Sequence, residues 1–510
     1  MSPSPDSVDL STQRALSDWL PGRLAAEQPS VLVIGDLMLD GWWNGSIERF
    51  CREAPAPVVD LQVRESVPGG AANTAMNLAA LGATVAVAGV VGADDAGEDL
   101  RGQLAAAGID VQHLLSHPDM VTTTKIRISS GGQVMLRLDD SARAVPADAL
   151  DALAASVRAV VERRDAVLVC DYGTGVVAGP VRAALAEVLG NWAGEGRPLV
   201  VVDAHDPRPW AALHPDLVTP NAQETARLLD RRLPEGQDRV DAVGGAAADL
   251  LAGTGSRAVV VTLDRDGTLL LTPDGVRHRT WARPAAEKQA SGAGDTFVAA
   301  LTLARAAGLP LTASLDLAQS AADVVVHQPG TSVCSTAQLS RYLEAFADTA
   351  LSAEELEQQM ELHRGQGQRI VLTNGCFDVL HSGHTRYLNQ AKQLGDILVV
   401  ALNSDDSVRR LKGAGRPINT VAERAAVVAA LSCVDYVTVF DTPTAVPLIR
   451  RLRPEVYAKG GDYTPDMLAE TPAVEEYGGR VAILDYVAER STTAVVNRIR
   501  DGQGADSPVT

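Results

Sequence analysis

The sequence predicts an α/β protein of two unequal units, each built on a parallel sheet with helices on both faces. Short uninterrupted apolar runs recur: VLVIGD from 31, TVAVAGVVG from 84, AVLVCDYG from 166, PLVVVDAHD from 198 and AVVVTLDRDG from 258. Such runs suit strands buried on both sides. Between them lie alanine- and leucine-rich stretches with helical spacing, such as ANTAMNLAALG and GEDLRGQLAAAG, and strand alternating with helix builds parallel crossover units. The rhythm lapses after a Gly-Thr turn near 330 and resumes at RIVLTNGCFD (369–378), which marks the second unit.

Taken in order, residues 1–28 read as a polar leader and 29–340 as the first unit. Within it, 55–67 and TTTKIRISSGGQVMLRLDD (122–140) alternate apolar and polar residues, which predicts a small β lid or an intersubunit sheet. Residues 341–368 read as a polar linker helix ending in glycines. The second unit, 369–510, has further apolar runs at DILVVALNSD, YVTVF, EVYAKGGD and VAILDY, and is long enough for a core of its own.

The chain has 510 residues with 64 acidic and 45 basic side chains, a formal net charge of −19. That balance argues against a general nucleic-acid or anionic-membrane binder, which needs a positive contact surface. No run approaches the ~18 apolar residues of a membrane span. The start, MSPSPDSVDLSTQRALSDWL, holds acids and prolines where a secretory signal has a basic segment and an apolar core. The five cysteines are scattered and form no CxxC pair, so the expectation is a reduced, cytoplasmic protein. Only five basic residues are lysine, namely Lys125, Lys288, Lys392, Lys412 and Lys459, each a candidate for a site that wants a compact ammonium charge.

Two glycine-rich motifs stand far apart in the first unit. In PGGAANTAMNLAALG (68–82), Gly69 and Gly70 let backbone approach a ligand and Asn73 can hydrogen-bond a hydroxyl. Asp36 and Asp40 follow a strand end, where open α/β sheets place ligands, and paired acceptors there suit a polyhydroxylated molecule. In SGAGDTF (291–297) a turn of small residues opens a helix, so free N–H groups make an anion site. Asp295 in that turn would repel a bound phosphate, and makes chemical sense as the acceptor of a proton from an attacking hydroxyl.

GGAAN followed by GAGDT resembles the ribokinase-like carbohydrate kinases over roughly residues 28–340. The resemblance implies that Asp295 is the catalytic base and that Gly292, Ala293 and Gly294 line the anion hole. TPNAQE (219–224) resembles the family segment beside the ATP phosphates, which implies nucleotide contacts from Asn221, Ala222, Gln223 and Glu224. Magnesium would come with ATP, Glu224 acting through bound water, with no direct side-chain cluster for a metal. Gln289 stands where relatives often carry an aspartate linked to a monovalent cation, which leaves potassium activation open; His205 likewise departs from the family's lysine.

In the second unit, TNGCFDVLHSGHTRYLNQAKQLGD (373–396) places His381 and His384 on one face of a helical turn, with Gly383 leaving room for a phosphate. Two imidazoles there can donate hydrogen bonds to a pentavalent phosphorus centre; a metal would need a third ligand, and none is evident nearby. The stretch resembles the HxGH motif of the cytidylyltransferase-like nucleotidyltransferases, a Rossmann-like fold. That likeness implies nucleotide contacts from Asn374, Gly375, Phe377, Asp378, Lys392, Arg416, Arg424, Ser491, Thr492 and Thr493, with Lys459 beside the histidines and Lys412 in LKGAGRPI.

The two halves in one chain resemble the bifunctional heptose 7-phosphate kinase / heptose 1-phosphate adenylyltransferase family. The resemblance implies two ATP-using steps, phosphorylation of the sugar at C1 and adenylyl transfer to the resulting 1-phosphate after a separate phosphatase has acted. Asp36, Asn73, Lys125 and Arg137 would hold the sugar phosphate, the last two from the lid. Homodimers through the lid are common in such relatives. Two other readings stay open: another sugar kinase fused to a cytidylyl- or guanylyltransferase, and a sugar-phosphate sensor with an inactive kinase half.

Overall fold

The structure, a computed structural model, describes residues 19–141, 144–192, 196–282, 290–326, 328, 330–344, 350–380, 382–413, 416–461 and 464–484. The first unit rests on a nine-stranded sheet. From one edge it runs Gly275–Thr280, Thr268–Thr272, Ala258–Thr262, Leu217–Val218, Leu199–Ala204, Ala166–Asp171, Ser30–Gly35, Thr84–Gly92 and Asp110–His117. The first two strands form an antiparallel hairpin and the other seven are parallel. Val31, Leu32, Val33 and Ile34 are wholly buried because helices cover both faces of their strand. The parallel strands end along one edge and so deliver Asp36, Asp171 and Asp203 to one cleft.

The lid is a separate four-stranded sheet ordered Pro57–Gly70, Leu37–Phe50, Thr124–Ser130 and Gln133–Asp140. Its longest central strand, Leu37–Phe50, was not evident as a lid strand in the sequence, since LMLDGWWNGSIERF lacks strict alternation. The glycines Gly69 and Gly70 end one lid strand and lead into the helix Ala71–Ala80, which packs on the helix Ala293–Ala306, and both helices bury alanines in one core, among them Ala72, Ala75, Ala299 and Ala300. Small residues on both helices are what let them approach.

Two expectations about segment boundaries are corrected. The stretch read as a polar leader holds a helix, Leu20–Glu27, whose Leu20 and Leu24 are 1% exposed in the first unit's core. Two leucines four apart make a helical stripe, and that outweighs the polar composition around them. The expected linker helix also belongs to a core: Ala353–Gly365, capped by Ser352 and Glu355, buries Leu356 and Met360 against the second sheet. Just before it Ala350–Leu351 adds an edge strand to that sheet.

The second sheet has six parallel strands ordered Ala350–Leu351, Tyr436–Phe440, Ile397–Asn403, Ile370–Gly375, Val456–Gly460 and Arg480–Leu484. Its carboxyl edge brings Asn374, Gly375, Asn403, Lys459 and Gly460 together. Among the described residues no helix is long and apolar enough to cross a membrane.

Candidate functional site

In the first unit the two glycine motifs meet. Gly292 adopts φ +89° as it enters the helix Ala293–Ala306, and a Cβ there would stand 2.5 Å from Asn73 Nδ2. The bare backbone therefore lets Asn73 donate to Asp295 Oδ2 at 2.8 Å. Asn77, one turn on, donates to the Asn73 backbone carbonyl at 3.0 Å, and its own Oδ1 accepts from Thr296 Oγ1 and from the Cys334 amide, each at 2.9 Å. Three distant segments are thus pinned around Asp295. The first-turn amides of its helix have no carbonyl to pair with and are free to meet an anion.

On its other side, Asp295 Oδ1 lies 3.2 Å from the Tyr172 hydroxyl, which is 2.9 Å from Asp203 Oδ2. Burial pushes the Asp295 carboxyl up to about 7, with the Asn73 hydrogen bond pulling it back and the Asp203 charge adding to the rise. Burial likewise raises Asp203 to about 6, helped by the charge of Glu224. A carboxyl poised near neutrality in the first turn of a helix can take a proton from a hydroxyl. Thr219 Oγ1 donates to Asp203 Oδ1 at 2.9 Å and leads to the next group. There Asn221 and Glu224 form a reciprocal capping box at the helix Ala222–Leu228, and Glu224 Oε1 lies 2.7 Å from His205 Nδ1. The Glu224 bond raises the His205 pKa.

The predicted sugar-side residues divide. Asp40 is buried and accepts from Arg127 Nη1 at 3.1 Å and from Thr331 Oγ1 at 3.0 Å, and Gly69 lies so close that a Cβ would stand 2.8 Å from its carboxyl. Asp36 turns inward: it accepts from the Tyr172 amide at 2.8 Å and the Thr174 amide at 3.1 Å, and so shapes the loop that presents Tyr172. Lys125 lies opposite Asp40 in the lid register. Arg137 is exposed and paired with Asp139 on its own strand, both bonds at 2.8 Å.

In the second unit a cleft is lined by Asn374, Gly375, Cys376, Phe377, His384, Tyr387, Lys412, Lys459 and Gly460. Asn374 Oδ1 accepts from Lys459 Nζ at 2.9 Å and from the Tyr457 hydroxyl at 2.6 Å. Burial depresses the Lys459 pKa. Phe377 takes φ +44° at the strand–helix turn and its ring centroid stands 5.2 Å from that of His384. Gly375 allows this, since a Cβ there would stand 2.9 Å from the Phe377 ring. His384, Lys459 and Lys412 therefore surround a small pocket able to offset charge on a phosphate.

Three expected nucleotide contacts are corrected. Lys392 bonds the Asp396 carbonyl at 2.5 Å and Asp435 at 2.6 Å, next to where the strands Ile397–Asn403 and Tyr436–Phe440 begin, at the edge opposite the pocket. Arg424 is fully buried and donates to the Cys376 carbonyl at 2.6 Å, the Asn403 carbonyl at 2.8 Å and Asp405 at 2.7 Å, so it braces strand ends. Asp378 is engaged by Arg416 and by the Ile418 amide, both at 2.6 Å, and so fastens the 416–419 loop instead of facing a nucleotide. His381, Ser491, Thr492, Thr493 and Gln289 lie outside the described residues.

The comparisons with known proteins agree with this geometry. Residues 28–338 match the pfkB family carbohydrate kinase model and residues 372–496 the cytidylyltransferase-like model. A bifunctional protein HldE from Desulfatibacillum aliphaticivorans is 36% identical over 479 residues, covering 93% of this chain and 96% of that protein. One from Azotobacter vinelandii is 39% identical over 480 residues, covering 93% and 98%. The chain belongs to the HldE family. Like that family's name, its make-up is bifunctional, a carbohydrate kinase joined to a nucleotidyltransferase. The first half of this HldE-family chain also shares its fold with phosphofructokinase-2 from Escherichia coli, at TM-score 0.51 and 19% identity, covering 62% of this chain and 99% of that one.

Sequence reading of the HldE-family chain missed Tyr172, Asp203, Arg127 and Tyr457. The first two close strand runs that read as AVLVCDYG and PLVVVDAHD, and a polar residue at a strand end was the available signal.

Proposed function

We propose that the chain performs two steps of ADP-heptose synthesis. The first half moves the γ-phosphoryl group of ATP to the C1 hydroxyl of D-glycero-β-D-manno-heptose 7-phosphate. The second couples heptose 1-phosphate to ATP, giving ADP-heptose and pyrophosphate. The observation that carries this reading is the near end-to-end likeness to HldE proteins, 39% over 480 residues, across both halves at once.

In the first step Asp295 accepts the proton of the anomeric hydroxyl as its oxygen attacks the γ-phosphorus. Asn73 holds the carboxylate in place, and the 292–294 backbone receives the transferred charge. Asp40 takes sugar hydroxyls, with Asp36 fixing the loop behind it. Magnesium fits this cleft: Glu224 offers a hard carboxylate whose charge reaches Asp203, and among the described residues no group of three such side chains forms an all-protein cage, which suits an ion held mainly by water and phosphates. When bound it neutralises phosphate charge; Asn221, Ala222 and Gln223 border the same nucleotide. In the second step the sugar 1-phosphate oxygen attacks the α-phosphorus of ATP while His384 and Lys459, with His381, offset the developing charge, and Asn374 orients Lys459.

A cytoplasmic site of action accords with this reading, since ATP and sugar phosphates are its substrates. A homodimer through the lid is supported by Val134, Leu136 and Leu138, which are exposed along its outermost strand. The test is incubation with heptose 7-phosphate, ATP and magnesium, then mass spectrometry for the bisphosphate. A second incubation with heptose 1-phosphate is read for ADP-heptose and pyrophosphate. If neither product forms with the heptose phosphates while another sugar phosphate is turned over, the substrate assignment fails.

A further inference from the structure

A hydrogen-bonded line runs from Asp295 across the first unit's cleft. Tyr172 follows the strand Ala166–Asp171, Asp203 lies in the neighbouring strand Leu199–Ala204, and Asp295 sits in the first turn of the helix Ala293–Ala306. The Tyr172 hydroxyl stands 2.9 Å from Asp203 Oδ2 and 3.2 Å from Asp295 Oδ1. Each member is held from behind. The Tyr172 amide donates to Asp36 at 2.8 Å, Thr219 Oγ1 donates to Asp203 Oδ1 at 2.9 Å, and Asn73 Nδ2 donates to Asp295 Oδ2 at 2.8 Å. Asp295 Oδ1 is therefore the oxygen left for an incoming proton, and it is also the one that meets Tyr172.

Two features set this line apart from a simple brace. A phenol has one proton, so Tyr172 donates to one carboxylate at a time, and its oxygen can accept from the other once that group is protonated. Burial, and then the charge of Asp203, raise the Tyr172 pKa, so the phenol stays neutral and gives up its proton only as it receives another. The nearby Cys170 thiol is kept neutral in the same way by its own burial. Asp203 and Asp295, by contrast, are raised to about 6 and about 7, close enough for a proton to pass between them. The Asp203 end lies toward solvent: His205, two residues on, has a side chain 47% exposed.

We propose that Tyr172 and Asp203 form a proton relay that empties Asp295 after each phosphoryl transfer. This rests on the reading above that the first half phosphorylates a sugar hydroxyl. Transfer breaks the sugar O–H bond and the bond from the γ-phosphorus to the bridging oxygen that leaves on ADP. It forms the ester O–P bond and leaves the proton on Asp295. That proton passes to the Tyr172 oxygen as the Tyr172 proton passes to Asp203 Oδ2, so Asp295 and Tyr172 regain their starting states. Asp203 then gives a proton to water, and the sum is ATP and sugar to ADP, sugar phosphate and a proton. The recovered charge on Asp295 repels the new phosphate and helps it leave. Tyr172 and Asp203 act through Asp295, as positioning residues.

The experiment is rapid mixing of the full chain with heptose 7-phosphate, ATP and magnesium in weak buffer. A pH-indicator dye follows proton release, and quenched samples give the bisphosphate. In the unsubstituted chain proton release keeps pace with bisphosphate formation; release that trails it overturns the proposal. In Tyr172→Phe, which keeps the ring and loses the hydroxyl, release trails bisphosphate formation and kcat falls about 10-fold or more. Asp203→Asn, which keeps the side-chain shape but takes no proton, gives the same delay. A lower kcat with release still in step overturns the relay, because it leaves Tyr172 as a brace for the carboxylate. Unchanged rate and timing overturn it as well. Calorimetric binding of heptose 7-phosphate is the folding control for the first unit, and if Tyr172→Phe fails it, Asp203→Asn is judged alone. If the unsubstituted chain makes no bisphosphate from heptose 7-phosphate, the substrate assignment falls by itself. The timing is then read with fructose 6-phosphate, and failure to phosphorylate that sugar too overturns the relay.

Discussion

Asn73 Nδ2 and Asp295 Oδ2 lie 2.8 Å apart although the residues are 222 positions apart in the chain. The bond joins the two glycine motifs and makes the orientation of the carboxylate depend on a helix from the other end of the unit.

Asn73→Ala should therefore slow the kinase step. A hydrogen bond to a charged group is worth about 1.5–3 kcal/mol, which corresponds to a fall in kcat of about 10- to 100-fold. Adenylyl transfer measured on the same preparation should be unchanged.

The kinase and transferase steps should also separate at their reactive groups. Asp295→Asn should abolish phosphorylation and spare adenylyl transfer. His384→Ala should lower adenylyl transfer about 100- to 1000-fold, the usual cost of a lost transition-state donor, and spare phosphorylation. Paired assays on each variant check this; loss of both activities in a folded variant would contradict independent sites.

The kinase step should carry an acid limb near neutrality. Asp295 must be unprotonated to act, and burial has raised it to about 7, so kcat/KM falls as pH drops through that value. The stability effect has the opposite sign. Asp295 and Asp203 sit above the unfolded value of about 3.9, so the folded first unit binds protons more readily. Their contribution is fully present below about pH 4 and is lost as pH rises through about 6 and about 7. Rate profiles and urea titrations across that window test the two signs.

Arg424→Met should act on stability, not on nucleotide affinity. The substitution leaves Asp405 and two strand-end carbonyls without their donor, and removing one partner of a buried ion pair costs about 3–5 kcal/mol. Urea unfolding should show the second unit melting early. A normal unfolding curve with weakened ATP binding would instead restore Arg424 to the nucleotide.

The candidate site loops stood out in the sequence because glycine, aspartate and histidine at fixed spacing have few other uses. Gly292 shows this: its positive φ and its closeness to Asn73 leave no room for a side chain. What stayed hidden was direction and depth. Lys392 follows the HxGH turn in sequence, but it is eight residues beyond His384, and at about 1.5 Å per residue the helix carries it ~12 Å away from the pocket. Arg424 was expected at the nucleotide through the family likeness of its segment, whereas the fold buries it among carbonyls. Tyr172 left no mark, since its importance lies in two carboxylates that come from other strands. Lys125 and Arg137 were visible on the lid, but only the strand register brings in Arg127, between Trp42 and Arg137.

The edge strand Ala350–Leu351 and the Ser352-capped helix after it change how the gene could be divided. Truncating at the start of the HxGH homology, near 369, would remove Leu356 and Met360 from the second unit's buried core cluster and uncover that side of it. A freestanding transferase fragment should accordingly begin before Ala350, and one begun at 369 should precipitate on expression.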